Sequence, residues 1–105
     1  MRVQAWIRRC AAAGLMATVA RKGDAEAGAL FIKINRFAGG CEVYSGITSP
    51  SGKPAWLRAT GRAPVAEREA DAYIERQAKY DADLWVLEIE DPKGQFVLDP
   101  PIVDV

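Results

Sequence analysis

The segment Leu84-Trp85-Val86-Leu87-Glu88-Ile89-Glu90 constrains this chain more than any other stretch. Side chains alternate between the two faces of a strand, so four apolar residues in a row cannot share one face. A strand built from them must be covered on both faces at that end. Beyond it the pattern alternates, with Glu88 and Glu90 on one face and Trp85, Leu87 and Ile89 on the other. The chain has 105 residues, room for one core around that strand and not for a second.

Two helical stripes are available as cover. Val3, Trp6, Ile7, Cys10 and Ala13 recur at helical spacing, which predicts a helix over Val3 to Ala13 ended by Gly14. A second helix is predicted from Pro64 to about Tyr80, with Ala66, Ala70, Tyr73, Ile74 and Gln77 inward. Glu67, Glu69 and Asp71 near its start and Arg76 and Lys79 near its end suit the helix dipole, although a strong Ser, Thr or Asp cap is missing.

The remaining segments read as strands and turns. Leu15 to Arg21 is a weak strand, and Gly23 to Gly28 (GDAEAG) is a loop. In Ala29 to Phe37, Leu30, Ile32 and Ile34 point one way, while Lys33 and Asn35 point the other with Phe31 and Phe37. Ala38-Gly39-Gly40 reverses the chain into a strand over Cys41 to Ile47. Thr48 to Lys53 turns it again into Ala55 to Thr60. The links are too short for parallel crossovers, so these strands are expected to be consecutive and antiparallel. Asp81 to Asp83 turns into the Leu84 strand. Asp91 to Gly94 turns out of it, toward a short hairpin partner at Gln95 to Leu98 and a loose or extended Asp99-Pro100-Pro101 tail. The expected architecture is a single α+β domain, residues 1–105, in the order α-β-β-β-(β)-α-β-(β). It is a small antiparallel sheet of about four to six strands with two helices packed on it.

Half the residues are apolar, so the chain can bury a core without a disulfide or structural metal. Fourteen basic residues balance fourteen acidic ones. That balance argues against a general nucleic-acid binder, which gains most affinity from a basic excess, and it lowers repulsion between copies. Histidine is absent, which excludes Ser-His-Asp and Cys-His machinery and removes the usual general base and zinc ligand. No cofactor motif is present: the GDAEAG loop lacks both a Walker lysine and GxGxxG spacing.

No apolar run reaches the ~18 residues of a membrane span. Met1 to Arg9 carries three arginines and Cys10 to Ala20 is uncharged, which loosely mimics a secretory signal. That segment is rich in alanine and only mildly hydrophobic, and Trp6 and Ile7 already belong to a helical stripe. The expectation is a cytoplasmic protein with no membrane partner.

Tyr73-Ile74-Glu75-Arg76 and Asp81 to Asp91 (DADLWVLEIED) carry a resemblance over nearly the whole chain. With the Gly23-Asp24 to Gly28 loop and the strand holding Lys33, the chain resembles the bacterial domain of unknown function 1491 family. That family implies a single domain of this size and no assigned activity, cofactor or catalytic residue.

Three groups of residues are candidates for binding. Asp81, Asp83, Glu88, Glu90 and Asp91 are the densest carboxylates, the residue type a hard divalent cation needs. Asp83 and Glu90 are separated by roughly 20 Å along an extended strand, too far for one ion. No resident metal is expected; Glu88 and Glu90 should be solvated or paired with arginines, Arg8 or Arg58 first. Arg8, Arg9, Arg36, Arg58, Arg62 and Arg68 are candidates for an anion or RNA patch, with Trp56 or Tyr44 to stack on a base. Trp6 and Trp85 belong to apolar faces, whereas Trp56, beside Arg58, is expected half exposed at a partner surface.

The function this suggests is a non-enzymatic binding or accessory module that meets an unknown protein partner or its own copy through the sheet face or an edge strand. A nucleic-acid module built on Arg and Trp, and a carboxylate-dependent metal enzyme, are the alternatives. Cys10 and Cys41 are far apart in sequence and expected as reduced thiols. Thiol titration under denaturing, non-reducing conditions should count two per chain; a count of zero would revive the secretory reading.

Overall fold

The computed structural model describes residues 2–25, 28–96, 98 and 102–103. Helix α1 (Arg2–Ala12) leads into strand β1 (Met16–Arg21), β2 (Leu30–Asn35), a 3-10 turn at Phe37–Gly39, β3 (Cys41–Thr48) and β4 (Pro54–Arg58). Helix α2 (Glu67–Tyr80), β5 (Trp85–Glu90) and β6 (Ile102–Val103) complete the α+β order expected from the sequence. The strands form one sheet in the spatial order β1-β5-β2-β3-β4-β6.

Short reversals make β2, β3 and β4 an antiparallel meander, as their links require. The sheet as a whole is mixed, and β1 is not the neighbour of β2. Strand β5 inserts between them, antiparallel to β1 and parallel to β2. The physical reason is burial. Leu84 to Leu87 are all buried, so β5 takes an interior place, whereas β1 (MATVAR), mostly exposed, is left at the edge. Gln95 to Leu98 does not return as a hairpin partner of β5. Phe96 and Leu98 are packed into the core, and the chain goes on to pair β6 with β4 in parallel. Val97 and the Asp99-Pro100-Pro101 tail lie outside the described residues.

The two helices cover opposite faces. On one, Val3 and Cys10 of α1 pack with Leu30, Ile32, Ile34, Trp56, Trp85, Leu87 and Ile89. On the other, Ala70, Tyr73 and Ile74 of α2 pack with Phe31, Val43, Leu84 and Val86. The central strand β2 is consequently buried at every position. Cys10 and Cys41 lie buried on opposite faces, both unbridged, and burial pushes both thiols above their ordinary pKa.

The helix ends follow local chemistry. Gly14, at φ 76°, donates to the Ala11 carbonyl while Leu15 N donates to Cys10 O, which closes α1 with a Schellman motif. Helix α2 starts at Glu67 and not at Pro64, because Val65 is drawn into a two-way backbone bridge with Cys41. No side chain caps its first turn.

Trp85 sits on the inner side of β5, and its indole N–H donates to the Asp24 carbonyl at 2.7 Å. Trp85→Ala is expected to cost about 3–5 kcal/mol, a large share of an ordinary domain's stability. Trp85→Phe, which keeps the ring but loses the hydrogen bond, should cost less. Urea unfolding checks both; a Trp85→Ala protein melting within a few degrees of the parent would contradict the interior placement.

Candidate functional site

The polar groups on the α2 face centre on Lys33. Its side chain is 4% exposed, and its ammonium lies 2.8 Å from Glu67 Oε2, 2.7 Å from Asp71 Oδ1 and 3.4 Å from Glu88 Oε1. Asn35 extends the group, donating to Glu67 at 3.2 Å and accepting from the Phe37 N–H at 2.8 Å. Burial alone would lower the lysine pKa, but the hydrogen bonds to Asp71 and Glu67 and the charge of Glu88 outweigh it and hold it above its ordinary value. Lys33 is thus fixed as a cation, unfit as a nucleophile or general base at neutral pH.

Glu88 therefore pairs with Lys33 and not with an arginine. Arg58 lies on the α1 side of the sheet, opposite Tyr44, and Arg8 is exposed on α1, so neither shares a face with Glu88. Glu90 is exposed. Asp91 is fully buried: its carboxylate accepts from Gln95 N at 2.8 Å and Phe96 N at 2.9 Å, and Arg36 Nε stands 3.6 Å away. The guanidinium of Arg36 also pairs with Glu42. Asp91 thus holds the turn that delivers Phe96 to the core.

Asp81 and Asp83 shape the other end of β5. Asp81 Oδ1 accepts from Asp83 N at 3.0 Å, and the Asp83 carbonyl accepts from Asp24 N at 3.0 Å. A Cβ at Gly23 or at Gly28 would fall 2.0 Å from that same carbonyl, so the loop closes on the turn only with glycine at both positions. Arg21 adds a hydrogen bond to Ala82 O. The five carboxylates suggested by the sequence are thus divided among a turn, an ion pair, an exposed position and a buried cap. Among the described residues, no group of three or more His, Cys, Asp or Glu is arranged to hold a metal ion.

Of the candidate arginines, Arg36 and Arg58 come together, lining a cleft on the α1 side with Glu42 and Tyr44. Arg9 covers the Trp6 ring at 4.9 Å, while Arg68 is on α2, across the sheet. Trp56 is 4% exposed, which corrects the expectation of a half-exposed interface residue. It faces α1 from β4 and meets Trp6 edge to face at 5.8 Å. Tyr44 is buried too, so neither aromatic is available for base stacking.

Exposure falls elsewhere. Strand β1 forms an edge, with Met16, Thr18, Val19 and Ala20 exposed. Met16, 63% exposed, and Phe37, 54% exposed, line a cleft of about 280 Å³ with Glu90, Pro92 and Lys93 at the ends of β5 and β2. Phe37 has φ 56°, a left-handed conformation that costs a bulky residue energy and that gathers at functional positions. Sequence reasoning missed this region because its exposure depends on β5 taking the place beside β2.

The contacts of Gly23, Asp24 and Gly28 with the Asp83 turn give a structural reason for two of the segments in which the family resemblance was seen. The model of the family described as "Protein of unknown function (DUF1491)" matches residues 1–99. The chain belongs to this family. The crystal structure of a DUF1491 family protein from Caulobacter crescentus CB15 is 43% identical, with a TM-score of 0.84, over 97% of this chain and 94% of that one. An NMR structure of a DUF1491 family protein from the same organism is 42% identical at a TM-score of 0.79, covering 96% and 91%. The solution structure of protein Atu0922 from A. tumefaciens is 33% identical at 0.72, covering 85% and 80%. No curated protein matches the chain.

In this DUF1491 chain the Lys33 group is asymmetric, a buried cation facing anions that still reach water. Removing two of the three anions with Glu67→Gln and Asp71→Asn together leaves the ammonium with Glu88 alone and is expected to cost about 3 kcal/mol. Lys33→Met leaves hydrated carboxylates and should cost less, about 1–2 kcal/mol. Because the folded-state pKa of Lys33 is raised, its contribution is complete at neutral pH. It is lost only as pH climbs from the ordinary lysine value of about 10.4 through the folded one. Urea unfolding of parent and variants at neutral and alkaline pH checks both statements; equal costs for the two changes would contradict the asymmetry.

Proposed function

We propose that the chain is a non-enzymatic protein-binding module that engages a polypeptide through the free edge of β1. The observation that carries this reading is a six-residue edge strand, mostly exposed, with no strand along its outer side among the described residues. Unpaired backbone N–H and C=O groups in a row form a template for an added strand. Helices α1 and α2 occupy the two sheet faces, which leaves the edges for a partner. The chemistry inside the fold supports a binding role over a catalytic one. Lys33 is held charged, Asp91 is consumed by a turn, and both cysteines are buried with raised pKa values.

Two buried thiols on opposite faces suit a reducing compartment, and on that ground we place the protein in the cytoplasm. Among the described residues, no helix is long and apolar enough to cross a membrane.

Met16→Asp and Val19→Lys put a charge on the edge at exposed positions, so both variants should fold with near-parental melting temperatures. The parent is expected to capture a protein partner, or to self-associate in sedimentation, and both variants should weaken that association about tenfold or more. Association unchanged by either substitution, or recovery of nucleic acid in place of protein, would overturn the reading.

A further inference from the structure

The partner of β1 is left open by the edge geometry alone, but the surface beside that edge is not neutral. Register places Met16 beside Glu90 and Thr18 beside Glu88, with all four side chains on the α2 side of the sheet. Asp71 and Glu75 of α2, together with Glu88, border a shallow pocket of about 200 Å³ that also includes Ala20 and Ile74. The strip therefore gathers Glu67, Asp71, Glu75, Glu88 and Glu90. Against them stand Lys33, buried beneath the carboxylates it pairs with, Arg21, whose guanidinium is bound to the Ala82 carbonyl, and Lys93, which lines the cleft beside Glu90. A chain of zero formal net charge thus presents a local acidic excess along one side of its free edge.

We infer that the segment received by β1 is an extended stretch of a partner protein with lysine or arginine at alternate positions and an apolar residue beside them. This inference rests on the edge-binding reading above. In a strand added outside β1, alternate side chains stand on the α2 side next to Met16, Thr18 and Ala20. Thr18 and Ala20 are small, so a long cationic side chain can lie across them. The row of Glu88 and Glu90 is two strand spacings away, about 10 Å, a span that a Lys or Arg stem and a Glu side chain cover together. At the Met16 end the cleft bordered by Met16 and Phe37 has an apolar wall on two sides, which sets the place of the apolar residue. Opposite charges on alternate positions would also fix the register of the added strand, which backbone pairing alone leaves loose.

Short synthetic peptides test this directly by fluorescence anisotropy. One alternates Lys with Val or Thr and ends in Leu; the second replaces Lys by Gln, and the third replaces Lys by Glu. The Lys peptide is expected to bind about tenfold or more tightly than the Gln peptide, to weaken as salt is raised, and to outbind the Glu peptide further. Glu75→Gln and Glu90→Gln are exposed and outside the immediate contacts of Lys33, so they should leave folding intact. Each should lower affinity for the Lys peptide severalfold without changing the Gln peptide's. Equal binding of the Lys and Gln peptides, lost on Val19→Lys, would overturn the basic partner and leave the edge reading standing. Self-association abolished by Val19→Lys, with no peptide bound, would make the occupant a second copy and likewise overturn it. Binding of the Lys peptide that ignores Val19→Lys would place the acidic site away from the edge, and both readings would fall.

Discussion

Strand β5 and the residue before it bury Leu84 to Leu87, with Trp85 and Leu87 on the α1 side and Leu84 and Val86 on the α2 side. An edge position would expose part of it, and one helical layer would cover half of it. Insertion between β1 and β2, with α1 below and α2 above, satisfies both demands. The rest follows from that placement. Strand β1 is displaced to the edge, β2 becomes the fully buried centre, and the loop after β1 must wrap the turn before β5. That wrapping is where the chain is least tolerant of side chains, since Gly23 and Gly28 both pack against the carbonyl of Asp83.

The two helical layers are not chemically equivalent. The α1 side closes with aromatic rings, Trp6 against Trp56 and Phe96, and with aliphatic side chains. The α2 side has a smaller apolar cluster and a buried lysine. Burying an ammonium is costly unless its three donors are met. Glu67 and Asp71, four apart on α2 and so on one face of it, meet it from above, while Glu88 approaches from the neighbouring strand. An ion cluster of this kind adds little net stability, yet any rotation of α2 would break it. Its contribution is to the angle at which the helix sits.

How much of this was legible in the sequence depended on whether a signal was local. The Cys10, Gly14 and Ala70 positions and the alternation of β2 and β5 follow from periodicity along a single element, and the structure retains them. The absence of a cap before α2 was also visible, but the start at Glu67 was not, because it depends on the long-range backbone bridge between Val65 and Cys41. Adjacency was not legible. Nothing within Met16 to Arg21 says that its neighbour is β5, and nothing near Trp56 says that α1 folds over β4 to bury it. The same holds for the site. Glu88 and Glu90 were readable as sharing a face, but Lys33, the partner of Glu88, lies fifty-five positions away on a strand that the sequence placed without its neighbours. Phe37, read from the sequence as the end of a strand, instead opens a 3-10 turn with a left-handed backbone, its N–H bonded to the Asn35 side chain.

The two edges of the sheet are managed differently, and that difference bears on function. Natural sheets blunt exposed edges with short strands, charges or bulges. At one edge stands β6, of which two residues are described. At the other, β1 has a bulge and an arginine only at its far end, where the register shifts between Val19 and Arg21. From Met16 to Val19 it has no charge, no proline and no irregularity. A chain with zero net charge gains no protection from repulsion between copies, so an unguarded segment of this kind is a liability unless something covers it. The acidic strip beside it supplies a selective answer: like-charged strips on two copies would face each other across a paired edge, which disfavours self-pairing, while a basic strand meets no such barrier. On the proposed reading, repulsion on one side of the edge disfavours pairing between copies while the backbone along it stays open to a basic strand.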